Sequence, residues 1–248
     1  MRRDHGTTAL DDGTVLVTGG LQAMGFRFHD TAEIFDPDVP SFTPTAGSLL
    51  EPRAFHAAVR LITGEVLLIG GTSGPTELAT LEVYDPATQR FRRAEATLPR
   101  AASALAAVLL DDDRVLVTGG ANAADGTLSD TAIYDPSSGE LTPVSPMTTR
   151  RMAHALVVLD DGRVLAVGGW SDSTDPSATT SVLEVYDPAS DGWEVLGAAL
   201  ARSRHDVVAL RMPDCRVLVA GGKQVVADEG ESSPTEVEVI TVPHAVGP

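Results

Sequence analysis

Arginine and histidine recur in this chain at a fixed spacing. Arg-x-x-His stands at Arg2…His5, Arg53…His56, Arg151…His154 and Arg202…His205, with Arg100…Ser103 as the exception. An arginine offers two parallel donors to a carboxylate or phosphate, and a histidine can move a proton near neutral pH. Arg3, Arg150 and Arg204 lie beside the repeated positions without belonging to them. Residues that break the repeat add further candidates. Trp170 can stack against a ligand, His29 and Asp206 can act as general acid or base, and Lys223 is the single lysine. Asp206 stands where the other repeats place Gly6, Ala57, Ala104 and Ala155. His29 lies in a loop, Met24 to Asp30, rich in large side chains and able to fold over a site as a lid or to present an apolar patch. The repeated histidines are read as packing residues between neighbouring sheets, too far apart to share one metal ion. No metal or other cofactor is expected.

These residues are positioned by one unit repeated five times. A glycine pair closes a β-branched run at Gly19-Gly20, Gly70-Gly71, Gly119-Gly120, Gly168-Gly169 and Gly221-Gly222, at intervals of 51, 49, 49 and 53 residues. Such a period implies stacked copies of one supersecondary unit. Each copy begins with an apolar stretch, then a tight acidic turn such as Asp11-Asp12-Gly13 or Asp160-Asp161-Gly162. Asp-Gly between apolar runs is a strong hairpin signal, because both residues tolerate positive φ. A loop of changeable length follows the glycine pair. A third strand then ends in Phe35-Asp36-Pro37, Tyr84-Asp85-Pro86, Tyr134-Asp135-Pro136 or Tyr186-Asp187-Pro188. Proline stops the ladder and begins a turn. A large apolar residue, Phe42, Phe91, Leu141 or Trp193, opens a fourth strand. Four short antiparallel strands per copy make a propeller blade.

Glycine pair, aromatic-Asp-Pro corner and following aromatic together resemble the kelch repeat. The resemblance implies an all-β, kelch-type β-propeller of about five four-stranded antiparallel blades around a central channel. It forms a single domain over 1–248, with repeats near 1–48, 49–98, 99–148, 149–199 and 200–248. The last copy is incomplete or atypical, since only the residues from Thr241 onward could supply its fourth strand. A closed five-bladed ring is favoured over part of a larger propeller, because an open ring leaves sheet faces and edges uncovered. Kelch propellers include oxidases, epimerases, specifier proteins and adaptors, so the fold does not name an activity.

In a four-stranded meander the blade-to-blade links and the second-to-third loops share one end. The loops there, Leu21 to Ala32, Ala121 to Asp130, Trp170 to Ser181 and Lys223 to Thr235, carry the length variation expected of a binding face. The link arginines gather at that end. Arg53, Arg100, Arg151, Arg202 and Arg204, with Trp170 and Lys223, are the candidate ligand-binding set. An acidic peptide, an acidic protein or a small anion is the expected partner. The same arginines can instead tie blades together, one per repeat.

Composition narrows the partners. A formal charge of −17 argues against nucleic acid, and no apolar run is long enough for a membrane span. A single cysteine, Cys215, excludes an internal disulfide, and Met1-Arg2-Arg3-Asp4-His5 does not read as a secretory leader. The expectation is a monomeric cytoplasmic protein, or a secreted one whose leader precedes this sequence. No Gly-x-Ser-x-Gly, phosphate loop, His-Glu-x-x-His or Cys-x-x-Cys is present. The copper-radical oxidases of the kelch group need a cysteine at the metal, and Cys215 falls in a hairpin turn at the other end. Two readings remain. One is a noncatalytic binding propeller. The other is a metal-independent isomerase, lyase or cyclase acting on a small anion, with His29 or Asp206 moving the proton.

Overall fold

A computed structural model describes all residues except 1, 23–26, 176, 214–215, 227–229 and 244–248. Cys215 and the centre of the proposed lid, Met24 to Phe26, therefore lie outside the described residues. Among those described there is no helix. Among the described residues the chain forms five four-stranded antiparallel sheets and three two-stranded ones. Blade one pairs Gly6–Ala9, Val15–Thr18, Ala32–Asp36 and Ser41–Pro44 in that order, and blade two pairs Ala57–Arg60, Val66–Ile69, Thr80–Asp85 and Arg90–Thr97. Blade three uses Ala106–Leu109, Val115–Thr118, Thr131–Asp135 and Glu140–Val144; blade four uses Ala155–Val158, Val164–Val167, Val182–Asp187 and Gly192–Ala199.

Blade five departs from the pattern. Its long second strand, Arg216–Val226, pairs with His205–Met212 on one edge. Its other edge is shared by the short return strand Gly230–Ser232 and by Glu238–Thr241. The sheet is thus three strands wide along its length, and among the described residues none adds a strand outside Glu238–Thr241.

Two compact units divide the chain. The first comprises Met1–Val115 with Ile133–Thr142, and the second Leu116–Ala132 with Pro143–Pro248. Apolar side chains from facing sheets make the core of each. Leu16, Ala32 and Leu49 of the first blade and its link pack with Val66, Leu68 and Tyr84 of the second. In the second unit Val157, Leu165, Val167, Leu183 and Val185 pack with Val217, Val219 and Ile240. Each such buried aliphatic side chain contributes about 1.5–3 kcal/mol.

The glycine pair is the socket of each blade-to-blade contact. A Cβ on Gly19 would sit 2.2 Å from the Arg53 carbonyl oxygen, and on Gly119 the same distance from that of Arg151. Gly70 and Gly168 meet the Ala102 and Arg204 carbonyls at 2.6 and 2.4 Å. The second glycine donates to that carbonyl: Gly20 to Arg53 at 2.7 Å, Gly71 to Ala102 at 2.9 Å, Gly120 to Arg151 at 3.0 Å and Gly169 to Arg204 at 2.9 Å. Positive φ at both positions aims the backbone this way, and the incoming carbonyl leaves no room for a side chain.

These contacts re-register two repeats. The residue delivering its carbonyl is Arg53, Ala102, Arg151 and Arg204 in successive links. In blade five the repeat arginine is therefore Arg204 and not Arg202, and Val207 holds the histidine position. In blade three the two positions are Ala102 and Leu105, so Arg100 and Ser103 lie outside the pattern. The residue two past each of these positions is left-handed: Asp4, Phe55, Ala104, Ala153 and Asp206, at φ between 52° and 55°. Asp206 thus matches Asp4, Phe55 and Ala153, and not Gly6, Ala57 and Ala155.

Candidate functional site

The repeat arginines turn inward to their own blades. Arg53 is wholly buried; it donates to the Gly70 carbonyl at 2.8 Å, the Thr80 carbonyl at 3.2 Å and Glu82 Oε1 at 2.6 Å. Arg151 does the same to Gly168, Val182 and Glu184, and Arg204 to Gly221, Glu236 and Glu238. The glutamate is a second anchor. Glu82 also accepts the Leu50 and Glu51 amides, and Glu184 those of Thr148 and Thr149. Burial pulls Arg151 below its ordinary value while Glu184 opposes the shift. This clamp fixes each link to its own third strand. A buried guanidinium with its donors so engaged cannot grip a ligand, which removes Arg53, Arg151 and Arg204 from the candidate set.

A sequence signal for the clamp was available. Glu33, Glu82, Glu184 and Glu238 recur in the third strands, and the repeat with Ala102 has Ala132 at the glutamate position. Arginine and glutamate are lost together.

The histidines are packing residues, as expected from their regularity. His56 Nε2 lies 2.9 Å from Thr18 Oγ1, and His154 Nε2 lies 2.7 Å from Thr118 Oγ1. Burial, reinforced by the charge of Arg53 and then His5, holds His56 down at about 3; burial and Arg151 hold His154 well below its usual range. Both rings are neutral at pH 7.

His29 lines a cavity of about 620 Å³ on blade one together with Arg2, His5, Glu33 and an apolar wall. Burial first, then Arg2 and Arg27, lowers its pKa. The apolar wall, Val15, Val17, Phe35 and Phe42, stands where Val66, Leu68, Tyr84 and Phe91 of blade two pack on blade one. The cavity therefore has the composition of a blade-packing face.

Links and second-to-third loops do lie side by side. Ala54 pairs with Thr72 and Met152 with Trp170. In the second unit this brings several candidates together. Trp170 stacks on His205 with ring centroids 3.9 Å apart and planes 20° apart. His205 Nδ1 is 3.1 Å from Asp206 Oδ2, and His205 pairs across the hairpin with exposed Lys223. Arg202 is exposed, with its guanidinium 3.5 Å from Glu236. Arg100 is exposed on the link of the first unit.

Next to Trp170 a polar cleft of about 510 Å³ opens between the loops at Asp125–Thr127 and Ser171–Thr174, with Arg150 on its wall. The acids of this cleft are engaged in their own turns. Asp172 Oδ1 accepts the Thr174 hydroxyl at 2.7 Å and its amide at 2.8 Å, which hold that carboxyl below its ordinary value. Arg150 is exposed; among the described residues it donates to the Thr127 carbonyl, at 3.5 Å, and its charge adds to the lowering of Asp172. Arg150 thus differs from Arg151, its neighbour in sequence: one faces the cleft, the other is sealed inside blade four. Among the described residues no group of three or more His, Cys, Asp or Glu side chains is placed to hold a metal ion. Among the described residues no helix is long and apolar enough to cross a membrane.

The Kelch motif family matches residues 53–95 and 151–198, the second and fourth repeats, each spanning arginine clamp, glycine pair and aromatic corner. The chain is a kelch-repeat β-propeller. Within this kelch propeller the corner aromatics pair at 4.9 Å for Phe35–Phe42 and Tyr84–Phe91 and at 5.2 Å for Tyr186–Trp193. The solved structure of YjhT is similar to it, with a TM-score of 0.77 at 16% identity over 96% of this chain and 82% of that one. No curated protein matches the sequence.

Proposed function

We propose that this kelch propeller is a binding module whose loop end in the second unit takes a carboxylate-bearing peptide, with Arg150 as the principal cation. The observation that carries the reading is the contrast between adjacent arginines. Arg151 is spent on Glu184 and backbone carbonyls, whereas Arg150 presents its guanidinium to a loop-built cleft. Arg202 and Lys223 add charge at the same end of this unit, and the Trp170–His205 stack offers a flat wall. A charge-assisted hydrogen bond to a carboxylate is worth about 1.5–3 kcal/mol. Binding of this kind weakens as salt rises.

The test is a fluorescence titration in a Trp193→Phe background, which leaves Trp170 as the reporter and places at 193 the residue type found at Phe42 and Phe91. A short glutamate-rich peptide should give a saturable change that its glutamine counterpart does not. Arg150→Ala should weaken it by about tenfold or more. Equal responses to both peptides, or no response to either, would reject the reading.

A further inference from the structure

The cleft beside Arg150 is polar throughout. Apart from Arg150 it is lined only by small residues, among them Ala123, Ala124 and Gly126, and by short polar side chains. Such a lining gives an apolar ligand group nothing to pack against. It also holds two carboxylates, Asp125 from one loop and Asp172 from the other, both exposed. Two negative charges thus stand against the single guanidinium. A purely anionic ligand would have to enter beside like charges, which works against its binding.

Both acids are held in place by their own loops. Asp172 takes the two bonds from Thr174 on Oδ1, which leaves Oδ2 outside the turn. Asp125 Oδ2 accepts from Asn122 Nδ2 at 3.1 Å, and the Asp125 amide donates to Asn122 Oδ1 at 2.6 Å. The loops come together between these acids, where a Cβ on Gly126 would stand 3.5 Å from Ser173 Oγ. A second, independent feature points to a ligand. Thr127 also lines the cleft and is 3% exposed, yet among the described residues its hydroxyl has no hydrogen-bond partner. A hydroxyl buried in this way is destabilising unless some group arrives to bond it. Arg150 is held at the same residue by a bond of 3.5 Å to the Thr127 carbonyl, long enough to yield to a better acceptor.

We propose that the cleft recognises a zwitterionic stretch of peptide, its carboxylate taken by Arg150 and the Thr127 hydroxyl and a neighbouring ammonium by Asp172 and Asp125. This rests on the reading of Arg150 as the carboxylate's partner and adds the cation that the peptide must carry. The planar guanidinium suits a carboxylate, and an ammonium brings three donors that two separate carboxylates can share. A glutamate with a lysine beside it presents both groups. The same charges reject the alternatives: a polyacid meets the two aspartates, and a polycation meets Arg150.

Calorimetric titration of the full chain with three short peptides, blocked at both ends, tests it. One is all glutamate, one alternates glutamate with lysine, and one alternates glutamine with lysine. The glutamate–lysine peptide should bind about tenfold or more tightly than either of the others. Asp172→Asn keeps the Oδ1 that anchors its turn and removes only the charge. It should weaken the glutamate–lysine peptide and strengthen the all-glutamate one, a crossed response that a site for anions alone does not give. Thr127→Val should weaken the glutamate–lysine peptide without lowering the melting temperature, because the hydroxyl it removes has no bond in the free protein. An Asp172→Asn protein that binds both glutamate-containing peptides more tightly, or a Thr127→Val protein of unchanged affinity, overturns the proposal and leaves Arg150 as a carboxylate site. If no peptide binds, or if Arg150→Ala binds all three as the parent does, the carboxylate reading falls and the proposal with it.

Discussion

Arg53 and Glu82 show how a residue suited to ligand chemistry becomes part of the frame. Both side chains are fully buried, 2.6 Å apart; Glu82 also accepts the Leu50 amide and Arg53 also donates to the Gly70 carbonyl. Removing one partner strands the other charge. Arg53→Ala should cost about 3–5 kcal/mol in urea unfolding. The combined change Arg53→Met/Glu82→Leu should recover most of that, since blade three already manages with Ala102 and Ala132. A double variant no better than the single one would contradict the clamp. The recurrence of arginine was legible in the sequence, but its direction was not. Arg202…His205 preserved the letters of the motif, while the fold placed Arg204 and Val207 at those positions. Only the incoming carbonyl on the glycine pair fixes that register, and a carbonyl has no letter in the sequence.

At the scale of strands and blades, the Thr18–His56 contact can be exchanged for the apolar form found at Ile69 and Leu105. His56→Leu alone leaves the Thr18 hydroxyl buried without its partner and should destabilise by about 1–3 kcal/mol. Thr18→Ile/His56→Leu should come close to the parent, helped by removing His56 Nδ1, a buried nitrogen without a hydrogen bond. The histidine also carries a pH signature. Its value falls from an ordinary 6.5 to about 3 on folding, because burial penalises the charged ring. Between those values the unfolded chain takes up a proton that the folded chain refuses. Stability from this site is therefore full above pH 6.5 and is lost as pH falls toward 3, by up to about 1.4 kcal/mol per pH unit. Melting temperatures from pH 7 to pH 5 should fall more steeply in the parent than in the double variant; parallel curves would contradict the assignment. The hairpins, glycine pairs and Asp-Pro corners were all readable, because turn chemistry is local. Blade five was readable only as atypical; that one edge of Arg216–Val226 takes both Gly230–Ser232 and Glu238–Thr241 depends on pairing that no local signal announces.

For the whole molecule, the division of labour is between arginines that hold blades and arginines that face loops. The sequence placed both kinds at the same end of the repeat and could not separate them, because burial depends on how far each side chain reaches into its own sheet. The loop cleft beside Arg150 arises from two loops of unrelated sequence, so no repeat signal announces it. Arg150 and Arg151 put the account to its most direct trial, since they differ by one position and carry the same charge. Melting temperature and acidic-peptide affinity should be measured on Arg150→Ala and Arg151→Ala side by side. The account predicts that Arg150→Ala keeps its melting temperature and loses binding, whereas Arg151→Ala loses stability by about 3–5 kcal/mol. An Arg150→Ala protein that melts early, or an Arg151→Ala protein as stable as the parent, would contradict it.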